Sequence, residues 1–160
     1  MNSKKIAILG FSGGLDTSYC VKYLTIELGM DVHSVLVDTG GFSDAELKHI
    51  EEHAYKLGVK SHTTVRAVKT YYDRIIKNLI FGNVLKNQTY PLSVSAERLI
   101  QALEIAKVVK EKGATVVAHG STGAGNDQVR FELGYYALKP DIKVIAPWRE
   151  WDLNSRTTLL

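Results

Sequence analysis

Two glycine-containing loops carry most of the side chains that could do chemistry in this sequence. The first, SGGLDTS at positions 12–18, follows the apolar run KIAILGF. Its adjacent glycines let the backbone turn tightly and direct N–H groups at an anion, and a following helix adds the positive end of its dipole. Ser12, Thr17 and Ser18 add hydroxyl donors without adding bulk. The pattern therefore predicts a phosphate-binding loop.

This loop departs from the common nucleotide-binding motifs. It has no lysine where the GxxxxGK[ST] loop grips the β and γ phosphates, and its glycines do not follow the GxGxxG spacing. Asp16 is informative because a carboxylate beside a phosphate repels it unless a cation lies between them. Two interpretations of Asp16 remain open at this stage: it caps the helix, or it is a partner of Mg²⁺ that bridges to the phosphate.

The second loop, HGSTGAGNDQVR at positions 119–130, contains three glycines within six residues. This density predicts a close approach by a ligand or by other backbone, because side chains are excluded. Taken singly, Asn126 and Asp127 suit a helix cap, and Arg130 suits a solvated first turn. Taken together, they offer an acceptor for an ammonium group and a guanidinium fork for a carboxylate. The loop therefore predicts a site for an amino acid.

Three other polar signals favour structural roles. HIEEH at positions 49–53 has the HxxEH spacing of one class of zinc peptidase, but the apolar stripe of its helix places both histidines toward solvent. His119 ends a predicted strand, where a satisfied buried histidine is the favoured interpretation and a ligand contact is the alternative. Asp38 stands where a dinucleotide-binding fold keeps its ribose-binding acid, which is a weak signal without GxGxxG.

Apolar runs alternate with helical patterns along the chain, which is typical of βα units around a parallel sheet. The predicted strands are KIAILGF, DVHSVLV, SHTTVRAV, ATVVAHG and IKVIAP. Helices are predicted over 16–28, from Ser43 to Gly58, over 70–81, over 96–112 and from Asn126 or Asp127 to Pro140. Both faces of the strands are apolar, so helices must cover both sides of the sheet. The sequence predicts a doubly wound α/β fold with its ligand at the carboxyl ends of the strands, where both glycine loops lie.

Helical spacing predicts which side chains face the core. The predicted inward residues are Cys20, Leu24 and Leu28 on the first helix, Leu99, Leu103 and Ala106 on the fourth, and Val129, Leu133 and Tyr136 or Ala137 on the fifth. The segment NVLKNQTYPLSVS is predicted to be the longest irregular connection, and its length makes it a candidate substrate loop.

Composition limits the class of protein. The chain has 160 residues, a size suited to one domain, and its formal net charge of +3 comes from lysines dispersed among acids, so nucleic-acid binding is not indicated. The single cysteine, Cys20, excludes an internal disulfide and fits a reducing cytosol, and its apolar context predicts a buried structural thiol. We expect no signal peptide, and no apolar run approaches the roughly 18 residues of a membrane span. A helix pattern that begins near Asn154 or Ser155 and is left unfinished suggests a longer protein.

These motifs resemble a known family. SGGLDTS is similar to the pyrophosphate loop of the ATP-pyrophosphatase group, and HGSTGAGNDQVRFE with YPLSVSAER resembles argininosuccinate synthase specifically. The resemblance covers the whole chain and implies an adenine nucleotide alpha hydrolase-like (Rossmann-like) fold with a doubly wound, five-stranded parallel sheet. Family members continue into a further domain. Residues 1–150 are therefore expected to form the nucleotide-binding domain, and residues 151–160 to begin the connection to a C-terminal synthetase and oligomerisation domain.

The resemblance implies a ligase of arginine biosynthesis that joins citrulline to aspartate. ATP, whose Mg²⁺ has no direct protein ligand, activates the citrulline ureido oxygen as citrullyl-AMP and releases pyrophosphate, and the aspartate amine then displaces AMP. Both nucleophiles belong to substrates, so the protein supplies positioning and charge stabilisation. The resemblance also implies a cytoplasmic homotetramer with no membrane or nucleic-acid partner, in which this domain alone is inactive.

The resemblance assigns roles to the residues that match the family's motifs. ATP binding is implied for Gly10, Phe11, Ser12, Gly13, Gly14, Leu15, Asp16, Thr17, Ser18, Val37 and Gly120. Citrulline binding is implied for Tyr90, Ser95, Asn126 and Arg130, and aspartate binding for Thr122, Asn126 and Asp127. Asp16 and Asp127 are implied to be the catalytic side chains. Gly10 and Phe11 stand where the family often has alanine and an aromatic residue, respectively.

Two alternative functions share part of this pattern. Another ATP pyrophosphatase, such as a tRNA-thiolating or amide-forming relative, would share the first loop, although thiolating members commonly use cysteines that this chain lacks. A non-catalytic adenine-nucleotide-binding module would share the fold, but it would not need Asn126, Asp127 and Arg130 beside the nucleotide.

Overall fold

The fold is built on a parallel sheet with helices on both faces. The computed structural model describes residues 5–123 and 125–150. Its strands are β1 (Ile6–Gly10), β2 (Asp31–Asp38), β3 (Ser61–Arg66), β4 (Leu85–Lys86), β5 (Tyr90–Pro91), β6 (Val116–Ala118) and β7 (Lys143–Ile145). Five of them form one parallel sheet in the order β3-β2-β1-β6-β7, and β4 pairs with β5 in a separate antiparallel hairpin. The predicted strands and the predicted doubly wound class are confirmed.

The described part of the chain contains seven α-helices, of which the last follows the final strand. They are α1 (Leu15–Lys22), α2 (Asp44–Leu57), α3 (Val68–Tyr71), α4 (Lys77–Phe81), α5 (Ser93–Glu111), α6 (Asn126–Leu138) and α7 (Pro147–Glu150). Two π-helical segments also occur: Tyr23–Glu27 extends α1, and Tyr72–Ile76 joins α3 to α4. Among the described residues, no helix combines the length and apolar character that crossing a membrane would demand.

The order of the strands reverses beside β1. The chain runs outward from β1 through β2 to β3, then returns across the sheet to place β6 on the other side of β1. The segments that leave the carboxyl ends of β1 and β6 therefore diverge to opposite faces of the sheet. A crevice opens between such segments, and ligands of doubly wound proteins bind there.

The core consists of one apolar layer on each face of the sheet. Along β1, Ala7 and Leu9 pack into the layer that contains α1 and α2, whereas Ile8 packs into the layer that contains α5 and α6. All three side chains are fully buried. Alternate residues of a strand point to opposite faces, so a strand covered on both sides must be apolar throughout.

Helix α2 has the ends that its sequence predicts. The Ser43 hydroxyl accepts a hydrogen bond from the Glu46 backbone N–H, and the Glu46 carboxylate accepts one from the Ser43 backbone N–H at 2.8 Å. Gly58 closes the helix in the left-handed conformation, with φ of 105°. Both features follow local rules and confirm the predicted boundaries.

The inward face predicted for the first helix is only partly right. Cys20 and Leu24 are fully buried, but Leu28 is 39% exposed. The π-helical segment Tyr23–Glu27 lies between Cys20 and Leu28 and has more residues per turn than an α-helix, so the four-residue spacing no longer returns to the same face. Burial also raises the pKa of the Cys20 thiol to about 12, as expected for a structural cysteine.

The inward face predicted for α6 is wrong, and the one predicted for α5 is partly right, since Ala106 is buried and Leu103 is partly buried but Leu99 is exposed. The residues predicted to be inward but found 42–64% exposed are Leu99, Val129, Leu133 and Tyr136. Helix α6 instead turns Phe131, Gly134 and Tyr135 toward α5 and the sheet. A Cβ atom at Gly134 would lie only 2.7 Å from the Ala102 Cβ. The absence of this atom lets the two helices approach closely and sets the rotation of α6.

Two further boundaries differ from prediction. Helix α5 begins at Ser93 rather than near residue 96, and the connection before it contains the hairpin β4–β5. Asn87 and Gln88 turn this hairpin with φ values of 54° and 59°. Non-glycine residues seldom adopt such angles, and each strand has only two residues, so the sequence carried no clear hairpin signal. The predicted residues 151–160, with their connecting role, lie outside the described residues.

Candidate functional site

A cavity of about 500 Å³ lies at the crevice where the strand order reverses. Its walls come from the loops after β1, β2 and β6 and from helices α5 and α6. The sequence-predicted residues that line it are Gly10, Phe11, Ser12, Gly14, Asp16, Thr17, Val37, Gly120 and Asp127. Gly13, Leu15 and Ser18 belong to the same first loop but do not line the cavity. Both glycine loops therefore meet at one site, as the fold class predicts.

The loop after β1 is held in shape by its own hydroxyls. The Thr17 hydroxyl donates to the Gly14 carbonyl at 3.1 Å, and the Ser12 backbone N–H donates to the Thr17 hydroxyl at 3.4 Å. Gly13 has a φ of 79°, and a Cβ atom there would lie 2.9 Å from Cγ1 of Ile50. Glycine is therefore required at position 13 by both conformation and space.

Asp16 lies in the first turn of α1 and lines the cavity. The N-cap residue of α1 is Gly14, and no side chain caps this helix end by a hydrogen bond. The capping interpretation of Asp16 is therefore not what the structure shows. Its carboxylate makes no ion pair with any described residue, which leaves it available to a group inside the cavity.

A histidine from α2 supports the same loop from outside the cavity. The Nε2 atom of His53 lies 2.9 Å from Oγ of Ser18, and the His53 and Phe11 rings stack with centroids 6.2 Å apart. Sequence reasoning assigned His53 to a solvated helix face, but it is half-buried, whereas His49 is exposed. The described residues contain no cluster of three or more histidine, cysteine or acidic side chains that could hold a metal ion.

The loop after β6 packs directly on the start of α1. A Cβ atom at Gly120 would lie 3.0 Å from Cγ2 of Thr17 and 3.2 Å from the Asp16 carbonyl carbon. Only a glycine lets the two loops approach this closely. This contact brings the loop that carries Asp127 beside the predicted phosphate loop.

His119 is a satisfied buried histidine that also lines the cavity. Its Nδ1 accepts a hydrogen bond from the Ser121 backbone N–H at 3.2 Å, so the neutral ring carries its proton on Nε2. That Nε2 lies 3.3 Å from Oε1 of Glu132, which also pairs with Arg149 at 2.7 Å. Burial lowers the pKa of His119, which favours the neutral ring. The favoured structural interpretation is confirmed.

Asp127 is held between two arginines. Its Oδ2 accepts from Nε of Arg98 at 3.2 Å, and its Oδ1 accepts from Nη1 of Arg130 at 2.9 Å. Gly125, rather than Asn126 or Asp127, is the N-cap residue of α6, and Asp127 lines the cavity from the first turn of that helix. The carboxylate of Asp127 balances one of these two guanidinium charges, and the carboxylate of Glu97, 3.1 Å from Nη1 of Arg98, balances the other.

Helix α5 adds a polar wall that sequence reasoning missed. The Glu97 carboxylate accepts hydrogen bonds from the Thr39 hydroxyl, from Nε2 of Gln101 at 3.3 Å and from Nη1 of Arg98 at 3.1 Å. All four residues line the cavity. The wall joins the loop after β2 to Asp127 through Arg98. In the sequence this wall is marked only by a cluster of polar residues. Their common position on α5 depends on the start of this helix at Ser93, which was predicted near residue 96.

Other sequence-predicted site residues lie outside the cavity wall. Tyr90 is 47% exposed on the hairpin, and Ser95 is in the first turn of α5. Thr122 and Asn126 are exposed where the second loop meets α6. Arg130 reaches the cavity only through its bond to Asp127.

Asp38 has a structural role in the folded chain. It is 2% exposed, and its Oδ1 accepts a hydrogen bond from the Gly40 backbone N–H at 2.8 Å. Its Oδ2 lies 3.4 Å from Nη1 of Arg66. These contacts hold the turn that follows β2.

Relatives of known name share the whole length of this sequence. It is 44% identical over 164 residues to the argininosuccinate synthase of Helicobacter hepaticus, covering 100% of this chain and 40% of that protein. It is 43% identical to the argininosuccinate synthases of Campylobacter hominis and Acidiphilium cryptum, covering 99% of this chain and 39% and 38% of theirs. The chain thus spans about 40% of the length of the curated relatives it matches.

Solved structures share the fold at lower sequence identity. An NH3-dependent NAD synthetase from Campylobacter jejuni superimposes with a TM-score of 0.56 at 20% identity, over 76% of this chain and 49% of that one. An NMN synthetase from Francisella tularensis gives a TM-score of 0.56 at 12% identity, over 76% of this chain and 47% of its own. These likenesses support the architecture alone.

The most direct assignment comes from a family model. Residues 6–160 match the model described as the arginosuccinate synthase N-terminal HUP domain. This match spans both glycine loops and every element around the cavity. The chain therefore belongs to the argininosuccinate synthase family and corresponds to the N-terminal HUP domain of that family.

Proposed function

We propose that this chain is the ATP-binding domain of an argininosuccinate synthase. The complete protein would join citrulline to aspartate, with cleavage of ATP to AMP and pyrophosphate. The observation that carries the proposal is one cavity framed by both glycine loops, with the anion-binding start of α1 on one side and Asp127 with its arginines on the other. Membership of the family supports the same reaction.

The first loop suits the phosphates of ATP. The backbone N–H groups at the start of α1 and the hydroxyls of Ser12, Thr17 and Ser18 are donors that need no positive side chain. Val37, at the end of β2, would meet the adenine through its backbone, and Gly120 leaves room for the nucleotide beside the first loop. The residues Gly10 to Ser18 form the remainder of this proposed site.

Mg²⁺ would accompany the nucleotide rather than occupy a protein site of its own. Mg²⁺ prefers oxygen ligands such as carboxylates. The Asp16 carboxylate lines the cavity and has no ion-pair partner among the described residues. A single carboxylate holds Mg²⁺ only together with phosphate oxygens and waters. When bound, the ion would neutralise charge on the phosphates, and Asp16 would orient the ion's waters.

The second loop suits the amino-acid substrates. Asp127 can accept from the ammonium group of aspartate, with Thr122 and Asn126 beside it. Arg130 can hold the citrulline carboxylate, and the other citrulline contacts are assigned to Asn126, Tyr90 and Ser95. In the free chain Asp127 and Arg130 bond each other at 2.9 Å, so the substrates would exchange that ion pair for their own charges.

The test is a pyrophosphate-release assay on the complete protein, with citrulline, aspartate or both present. Release that requires citrulline, followed by argininosuccinate formation when aspartate is added, is the expected result. Equal release with unrelated acceptors would favour another ATP pyrophosphatase, and ATP binding without any release would favour a non-catalytic module. We also propose that the working protein is a cytoplasmic homotetramer with no membrane or nucleic-acid partner.

One substitution tests the proposed amino-acid site without changing the shape of a side chain. Asp127→Asn keeps the shape of the side chain but removes its charge, so the KM for aspartate should rise roughly ten- to hundredfold, the range for a hydrogen bond to a charged group. Asp141→Asn, an exposed carboxylate that pairs with Lys139 away from the cavity, is the matched control. An unchanged KM for aspartate in Asp127→Asn would contradict the assignment.

A further inference from the structure

The loop SGGLDTS has no cationic side chain, but α2 places a histidine against it. His53 Nε2 lies 2.9 Å from Oγ of Ser18, the last residue of the loop. The ring also stacks against Phe11, which lines the cavity just before the loop. On the same face of α2, Ile50 fills the space where a Cβ atom of Gly13 would lie. Helix α2 therefore packs against the loop at both Gly13 and Ser18.

The hydrogen bonds of Ser18 fix the direction of its contact with His53. The Ser18 hydroxyl also lies 2.8 Å from the Gly14 carbonyl oxygen. A hydroxyl carries one proton and a carbonyl can only accept, so with both contacts formed the Ser18 proton is directed at Gly14. His53 must then donate its Nε2–H to Ser18. The same Gly14 carbonyl oxygen also accepts the Ser18 backbone N–H at 3.0 Å, so Ser18 lies in the first turn of α1, close to the helix end where an anion would bind.

We infer that His53 is a positioning residue for nucleotide binding, an inference that rests on the proposed function. Its Nε2–H holds one lone pair of the Ser18 hydroxyl. This hydroxyl does not line the cavity itself but follows Asp16 and Thr17, which do, and it can turn its proton from the Gly14 carbonyl to an oxygen of a phosphate bound at the start of α1. A hydroxyl that accepts a hydrogen bond is polarised and becomes a better donor. The neutral loop thus gains a donor chain from His53 through Ser18 to the phosphate.

Calorimetric titration of the complete protein with MgATP and with inorganic pyrophosphate tests this inference. His53→Ala should weaken binding about 2- to 10-fold, the range for one hydrogen bond. His53→Gln, whose side-chain amide can still donate to Ser18, should restore most of the affinity. Ser18→Ala should lose a similar amount, and the double variant should bind like Ser18→Ala alone, because His53 acts through that hydroxyl.

His49→Ala is the matched control, since it removes the other histidine of the same motif from an exposed position one turn away on α2. Its affinity should equal that of the unaltered protein. If the unaltered protein binds no ATP, the proposed function fails and this inference fails with it. If it binds ATP but His53→Ala binds equally well, or the losses in the double variant multiply, only the inference about His53 is overturned.

The tautomer of His53 gives a second test that needs no variant. Long-range ¹⁵N–¹H NMR of the unaltered protein should show a proton on Nε2 of His53. A neutral ring with its proton on Nδ1 would make His53 the acceptor, and the donor chain would be refuted. This measurement keeps the inference open to refutation even if His53→Ala, which loses contact with Phe11, does not fold.

Discussion

Replacing Gly120 with alanine should push apart the two loops that frame the cavity. The new Cβ atom would lie 3.0 Å from Cγ2 of Thr17 and 3.2 Å from two backbone atoms, the Asp16 carbonyl carbon and the Thr17 nitrogen. The Thr17 methyl can move by rotation, but the backbone atoms cannot move without shifting the start of α1. The expected strain comes from this contact alone, because the backbone of Gly120 is not in the left-handed region.

The cost can be estimated from overpacking in other proteins. An added carbon in a filled space typically destabilises by about 1–3 kcal/mol. For a chain of this length, each kcal/mol lowers the melting temperature by roughly 2–4 °C, so Gly120→Ala should melt roughly 2–12 °C lower. Affinity for ATP should fall as well, because the displaced backbone carries the N–H groups proposed to bind phosphate. Thermal unfolding and ATP calorimetry measure the two effects.

Gly123→Ala is the matched control within the same loop. Its Cβ atom would lie 3.4 Å from Cγ of Arg149, an ordinary contact with a flexible side chain. Its stability should therefore change by less than about 0.5 kcal/mol. If Gly120→Ala and Gly123→Ala cannot be distinguished in melting temperature and ATP affinity, close packing between the two loops does not determine the site.

Three further predictions concern buried polar groups. Tyr135→Phe should leave the unfolding free energy unchanged or raise it by up to about 1 kcal/mol, because the buried hydroxyl has no hydrogen-bond partner among the described residues. A lower unfolding free energy in denaturant titration would show that the hydroxyl does have a partner. Burial lowers the pKa values of His33, His62 and His119, so below about pH 6.5 the unfolded chain binds more protons and stability should fall on acidification. His119→Gln should reduce that slope, and greater stability in acid would contradict the sign. Cys20 should resist iodoacetamide near about pH 8 until the chain unfolds, since burial raises its pKa to about 12; mass spectrometry of the folded protein would show rapid labelling if this is wrong.

The fold was predictable where local rules and burial agree. Each sheet strand is an apolar run, and α2 begins and ends at residues that fix helix termini by hydrogen bonding and by left-handed geometry. The rotation of α6 was not predictable, because apolar residues occur around its whole circumference. Its orientation depends on the contact of Gly134 with Ala102 of α5, which joins two helices far apart in sequence. The π-helical segments likewise have no recognised local signal here.

The candidate site likewise has a part that the sequence predicts and a part that it does not. Both glycine loops are continuous motifs, so their residues could be found by spacing. The supports of these loops come from distant elements: His53 is 35 residues from Ser18, and Glu97 is 58 residues from Thr39. Sequence patterns describe the face of a helix but not the element that packs on it. For this reason His53 was assigned to solvent, and Glu97 was missed as part of the cavity wall.

The ion pair between Asp127 and Arg130 is consistent with a site that exchanges partners. Binding of the proposed substrates would require this pair to separate, and the cost depends on how far the pair is buried. The two side chains are 42% and 32% exposed, so the pair is worth no more than about 1 kcal/mol, as for other solvent-accessible ion pairs. A fully buried pair would cost several kcal/mol to break. The pairing therefore keeps both charges compensated in the free chain, and an incoming ammonium and carboxylate can replace it at small cost.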